Sequence, residues 1–536
     1  MRTILIAFAL STVFSLSAQN KTVSKVWVSD NGDGTYTNPI LHADYSDPDV
    51  VRVGDDYYMT ASSFNAAPGL PILHSKDLVN WELVNYALQK QIPLDVFDKP
   101  QHGNGVWAPC IRFHNGEYYI YYPDPDYGIY MIKSKDPKNS WSDPVLVKGG
   151  KGLIDPTSLW DDDGKLYLAY AFAGSRAGIK SLLVIATMNA EGTKTNDDEV
   201  MIIDGHKDES TIEGPKFYKR NGYYYIFAPA GGVSTGWQTI LRSKSVYGPY
   251  EKKTVLHQGN TAINGPHQGA WVNTQTDEDW FFHFQDKDAY GRVVHLQPMK
   301  WENDWPIIGI NQNNDGIGEP VLTYKKPSVG GIYPIVTPAD SDEFNQPKLG
   351  LQWQWQANPK VYYGLPTALG HFTMYCRPMP ENAVNLYAVP NLLLQKFPSD
   401  EFVATTKITF NARFDNEQVG FLVMGLDYSF LRIKQENGDL FLSQVTCINA
   451  DKNQEETSSE RIKMNSKTIF LQVKVSKGGF CDFLYSTDNK KFMSIGSTFK
   501  AREGKWIGSK IGFLALREGV INDSGSVDID WIRFNK

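Results

Sequence analysis

Residues 153–170 read LIDPTSLWDDDGKLYLAY, a proline-centred turn followed about ten residues later by an aromatic-rich apolar run. The same arrangement occurs four more times. SDPDVVRVGDDYYM is centred on Pro48, WAPCIRFHNGEYYIYY on Pro109, EGPKFYKRNGYYYIFA on Pro215 and GPHQGAWVNTQTDEDWFFHF on Pro266. Successive prolines lie 47 to 61 residues apart. A repeat of that length, with tight Asn-Gly or Asp-Gly turns between strands, predicts a propeller of four-stranded blades. The innermost strands of such blades converge on one axial funnel. That convergence would gather Asp47, Asp155 and Glu213, which lie far apart in the chain.

The surrounding sequence fits an all-β reading. Runs such as EYYIYY, KLYLAYAF and YYYIFAPA are β-branched and aromatic and show no sustained helical period. Three stretches punctuate the blades in a similar way: SKDLVNWELV (75–84), SKDPKNSWSDPVLV (134–147) and RSKSVYGPYEKK (242–253). The first reads as an outer hairpin strand of its blade. The five repeats occupy residues 38–324, after a leader and linker over 19–37. The Pro/Gly-rich KKPSVGGIYPIVTP (325–338) is a crossing between two units. From 339 to 536, alternating strands such as KITFNARF, VGFLVMGL and KIGFLAL predict an antiparallel β-sandwich.

Bulk composition excludes several classes. A chain of 536 residues exceeds one core, and 41% hydrophobic content argues against disorder. A net charge of −7 offers no basic stripe for nucleic acid. The four cysteines, Cys110, Cys376, Cys447 and Cys481, lack C-x-x-C spacing, so neither a zinc site nor a disulfide framework is expected, with a single bridge in the C-terminal half left open. Residues 1–18 read as an export signal: Arg2, an apolar stretch from Ile4 to Phe14, then the small-residue Ser15-Leu16-Ser17-Ala18. No cysteine follows to carry a lipid anchor, and the apolar run is too short to span a membrane. A soluble exported protein is expected, periplasmic in a host with two membranes.

Three converging carboxylates suit hydrolysis of a glycosidic bond. That reaction needs an acid for the leaving oxygen and a base or nucleophile on the other side of the ring. A third carboxylate beside the acid disfavours its ionisation and helps orient it. Singly, Asp47 and Asp155 could be Asx-turn residues before proline, His267 a core histidine and Arg292 a surface cation. Recurrence at equivalent blade positions lifts the set. A non-catalytic carbohydrate-binding propeller would keep the aromatics but has no need of three such acids. A sialidase would want an arginine cluster instead. The acidic pair Asp342-Glu343 and Asp530, at the two ends of the sandwich segment, are candidate ligands for a structural calcium. No cofactor is required for the chemistry.

NPIL (38–41) followed by YSDPD, then GDDYYMTASSF, VWAPCI, GLIDPTSLWDDDGKLYLAY and IEGPKFYKRNGYYYIF, resembles glycoside hydrolase family 43 in order along the chain. The C-terminal part resembles the sandwich of its two-domain β-xylosidases and α-L-arabinofuranosidases. The resemblance implies a five-bladed propeller and an inverting reaction on oligosaccharides from plant polysaccharides. In it Asp47 is the general base, Glu213 the general acid, and Asp155 the group that tunes and orients the acid. It also implies that Phe64 and Trp107 line a sugar pocket, with His267 and Arg292 near the funnel axis. The stretch DKDAYGRVVHLQPM around Arg292 is shorter than in the two-domain β-xylosidases and lacks their cysteine. It points to arabinofuranose ahead of xylose as the sugar released, with β-xylosidase or bifunctional activity as the alternative; the second domain, by resemblance, implies exo action.

Overall fold

The computed structural model describes residues 23–519 and 522–536; the export-type stretch 1–18 lies outside them. Each proline turn leads into the innermost strand of a blade, and the aromatic run that follows is the second strand. Blade 1 comprises Asp49–Val53, Asp56–Thr60, Gly69–Ser75 and Trp81–Leu88, hydrogen-bonded in that order. Blades 2 to 5 begin with Cys110–His114, Leu153–Trp160, Lys216–Arg220 and His267–Asn273 and repeat the same antiparallel order. The Asn-Gly turns close hairpins as their sequence predicts. Asn115 (φ 48°) and Gly116 (φ 81°) join His114 to its partner Glu117, and Asn221 and Gly222 do the same in blade 4.

Apolar runs appear continuous because each blade is covered on both faces by its neighbours. Five inter-blade cores result. Ile72 and Tyr58 of blade 1 meet Ile111 and Ile120 of blade 2, and Met131 and Tyr121 meet Leu168 and Tyr170 of blade 3. Ala169 and Ile185 meet Phe217 and Ile226 of blade 4, whose Phe227 and Ile240 meet Phe281 of blade 5. The ring closes where Val50, Met59 and Trp81 of blade 1 pack on Ala270, Phe282 and Leu296 of blade 5. A short ribbon across the seam, Thr35–Thr37 against Thr323–Lys325, ties the start of the propeller chain to its end.

One detail differs from the sequence reading. The segment 75–84 is not one strand: Gly69–Ser75 ends at Ser75, and the outer strand begins at Trp81. Between them Asp77 Oδ1 accepts the N–H groups of Val79 and Asn80 at 3.1 and 2.8 Å, so its carboxylate stabilises a turn instead. The other SK-containing stretches likewise span the turn into the outer strands Val145–Gly149 and Glu251–Leu256. All four cysteines are buried and free, so the bridge left open in the C-terminal half is not formed.

The C-terminal unit is a sandwich of a nine-stranded and an eight-stranded sheet. Strand Phe402–Asn411 alternates strictly between buried and half-exposed residues, as a strand with one face on a core must. Ile408, Val473 and Phe534 from one sheet meet Phe421, Leu431 and Phe513 from the other. The sandwich docks on the propeller through backbone pairing of Ala67 with Trp355 (3.1 and 2.7 Å) and mutual bonding between Gln91 and Asn358. Among the described residues no helix is long and apolar enough to cross a membrane.

Candidate active site

All three acidic residues sit within three residues of the start of an innermost strand, so the ring delivers them to one end of its axis. Asp47, Asp155 and Glu213 line a single cavity of about 290 Å³ together with Phe64, Trp107, His267 and Arg292. The structure therefore brings together every candidate catalytic and sugar-binding residue of the propeller. Asp47 and Asp155 both adopt φ 56°, a left-handed conformation that is disfavoured before proline. Phe64 (φ 50°) and Gln268 (φ 37°) share the strain. Strained backbone at several positions of one cavity is held by the surrounding fold and aims side chains inward.

Neither aspartate caps its own turn. Asp47 Oδ2 accepts the hydroxyls of Ser46 (2.7 Å) and Ser62 (2.5 Å), and Arg292 Nη1 lies 3.6 Å from Oδ1. Arg292 also donates to Ser46 Oγ at 2.8 Å and covers the ring of Phe284. Asp155 Oδ2 accepts the backbone N–H of Gly214 at 2.8 Å, which locks it to the residue after Glu213. Gly214 (φ 58°) is required there: a Cβ would come within 2.8 Å of the Gln268 side chain. Glu213 is the most open of the three acids, 26% exposed at its side chain, and His267 Nε2 sits 3.1 Å from its Oε1. Two residues after Asp47, Asp49 binds Arg112 at 2.7 Å and lies 3.7 Å from Lys216, a buried charged cluster at the start of the innermost strands.

Burial, then the negative charges of Glu213 and Asp47, push the Asp155 carboxyl up to about 8, against the lowering effect of the Gly214 N–H and Lys216. Carboxylates lining one cavity disfavour each other's ionisation, and burial adds to this at Asp155. A folded-state pKa above the unfolded ~3.9 means that the native protein holds the extra proton between the two values. The stability this group contributes is complete below about pH 4 and is lost as pH rises through about 8. Asp155→Asn cannot ionise. Its melting temperature relative to the parent should therefore shift by a few degrees in the variant's favour between pH 5 and pH 8. The same difference at both pH values would refute a raised Asp155.

One wall comes from the other domain. Trp506, in the sandwich loop 501–509, lines the cavity, lies 6.4 Å edge-on from Trp107 and is 44% exposed. Trp107 in turn stands 6.3 Å from Phe64 and is fixed by its indole N–H donating to Gly103 O at 2.8 Å. Sequence reasoning missed Trp506, Ser46, Ser62 and Gln268. A lone tryptophan between glycines in GKWIG (504–508) was the only local signal of the first.

The calcium candidates are not assembled into a site. Asp342 and the C-terminal strand do meet, through paired backbone bonds with Ile532. Asp342, however, accepts from Phe344 N–H and the Trp353 indole, while Asp530 pairs with Lys407 at 3.1 Å. Hydrogen-bond donors already occupy both carboxylates. No group of three or more His, Cys, Asp or Glu able to hold a metal occurs among the described residues. The donor set does not fit a calcium ion.

Comparison with known proteins agrees with this geometry. The family model described as glycosyl hydrolases family 43 matches residues 36–306, and that of the β-xylosidase C-terminal concanavalin A-like domain matches 341–535. A protein of Xylanibacter ruminicola, provisionally named a β-xylosidase, is 37% identical over 92% of this chain and 88% of its own. A β-xylosidase of Formosa agariphila is 33% identical over 94% and 91%. A non-reducing-end α-L-arabinofuranosidase of Bacteroides ovatus is 28% identical over 93% and 94%. The crystal structure of a family 43 protein from Bacillus licheniformis superposes with a TM-score of 0.80 at 27% identity, covering 94% of this chain and 99% of that one.

Proposed function

The chain belongs to glycosyl hydrolase family 43, and from that premise we propose that it removes single β-D-xylosyl units from the non-reducing ends of xylan-derived oligosaccharides, with inversion. The observation that carries this reading is a cavity of about 290 Å³ holding three carboxylates from three blades and walled by Trp506 from the sandwich. A wall across the funnel suits a chain end better than a continuous chain.

Asp47 is the base in this reading. Two hydroxyls donate to its Oδ2, and its Oδ1 accepts a proton from the attacking water. Glu213, the most open acid, protonates the leaving oxygen, and His267 holds its carboxyl in place. Asp155, fixed by the Gly214 N–H next to Glu213, orients the acid from the other side. Inversion leaves room for water between acid and base, roughly 6.5 to 9.5 Å between their carboxyl groups.

Xylose is placed ahead of arabinose because the 37% and 33% identical relatives carry xylosidase names. That order reverses the reading taken from the short DKDAYGR stretch. The arabinofuranosidase relative supports α-L-arabinofuranosides as a second substrate, since both pentoses present hydroxyls in similar places and discrimination rests on few contacts. Rates on p-nitrophenyl β-D-xylopyranoside and α-L-arabinofuranoside test the order, with the xyloside expected to be faster. Dominant arabinofuranoside turnover would reverse it. Oligosaccharides released from mid-chain would overturn exo action. Export directed by residues 1–18 would place the work in the periplasm of a two-membrane host.

Trp506→Ala should raise KM for the pentoside roughly fivefold, from about 1 kcal/mol of lost aromatic contact, with a smaller effect on kcat. An unchanged KM would remove Trp506 from the sugar pocket.

A further inference from the structure

Asp44 stands three residues before Asp47, in the HADYSDP turn, and is 4% exposed. Its two carboxyl oxygens bond to two different domains. Oδ1 accepts the backbone N–H of Arg292 at 2.9 Å, and Oδ2 accepts the backbone N–H of Gly508 at 3.1 Å. Arg292 is the cation beside Asp47, and Gly508 follows Trp506 by two residues. One buried carboxyl thus joins the propeller strand that delivers the arginine to the sandwich loop that delivers the tryptophan.

The two backbones approach closely around it. Ser509 N–H donates to Ala289 O at 2.7 Å. A Cβ on Gly291 (φ 72°) would come within 2.5 Å of Gly508 N and 2.6 Å of Asp44 Oδ1. A Cβ on Gly508 would come within 2.7 Å of the Tyr290 carbonyl carbon. Glycine on both sides lets the loop sit against the strand, and Asp44 fills the junction with acceptors for both N–H groups. Lys396, above the ring of Tyr45 at 5.1 Å, and Lys510, its partner in strand register, are the cations on which the Asp44 charge acts from the sandwich side.

We propose that Asp44 is a positioning residue for the pentose pocket, setting Arg292 and Trp506 relative to Asp47 by holding the backbone of each. The activity arm of the test rests on the glycosidase reading above; the exchange arm does not. Asn at this position offers one carbonyl acceptor and turns an amino group toward the other N–H donor. In Asp44→Asn, backbone amides of 287–293 and 506–510 should exchange with deuterium at least about tenfold faster, as expected for loss of a buried charge-assisted bond. KM for the pentoside should rise about tenfold, with a smaller fall in kcat.

Adding Asp44→Asn to Trp506→Ala should worsen kcat/KM by clearly less than Asp44→Asn costs the parent, because the Trp506 part of its effect is already gone and only the Arg292 part remains. Acceleration in only one segment, or in neither, overturns the proposal, and so do effects that multiply in the double variant. If Asp44→Asn fails to fold, Gly508→Ala opens the same junction from the sandwich side. It should speed exchange at Arg292 as well as around residue 508, and an unchanged Arg292 amide would refute the linkage. A parent that hydrolyses no pentoside sinks the glycosidase reading, while the exchange experiment still decides the role of Asp44.

Discussion

Asp47→Asn is expected to fold, to bind pentose and to lose about two to four orders of magnitude in kcat, equally on activated and unactivated substrates. The amide keeps the size of the carboxyl and can still engage Ser46 and Ser62, whose hydroxyls rotate. It cannot take a proton from water. Leaving-group activation does not help, because the missing step is deprotonation of the nucleophile. With the parent enzyme, NMR of the first turnover should show the anomer opposite to that of the substrate. A retained anomer, or an Asn variant that keeps more than about a tenth of the parent rate, would remove Asp47 from the role of base.

The Glu213→Gln result should differ in kind. Protonation of the leaving oxygen contributes about 10²- to 10⁴-fold, so turnover of xylo-oligosaccharides should fall by that factor. Aryl glycosides with good leaving groups need little protonation and should lose far less. The glutamine can still meet His267 at the present 3.1 Å, so sugar affinity should hold within a few-fold. Equal losses on both substrate types would mean that Glu213 is not the acid. Together the two variants separate base from acid: one is indifferent to the leaving group and the other is governed by it.

Much of this was legible in the chain. The proline turn and the aromatic run are the first and second strands of each blade, so spacing alone announced five blades. The SK-containing stretches were legible only as punctuation. Asp77 could have belonged to a strand or a turn, and its bonds to the N–H groups of Val79 and Asn80 decide for the turn. Asp342 and Asp530 looked like paired metal ligands because the chain ends were expected to meet. The ends do meet, but the Trp353 indole and Lys407 occupy the carboxylates.

The sequence by itself determined the strand periodicity, the blade count and the three acids, since each depends on a local pattern that recurs along the chain. Tertiary structure alone decided which groups surround those acids. Ser62 reaches Asp47 across 15 residues, Arg292 reaches Ser46 across 246, and Gly508 reaches Asp44 across 464. No local periodicity encodes such separations. A hydroxyl, a guanidinium and a backbone N–H become partners of a carboxylate only when ring closure and domain docking bring them within hydrogen-bonding distance. Trp506 shows this most plainly: the strand pattern of its segment assigns it no role, and only the docking of the sandwich makes it a wall of the pocket.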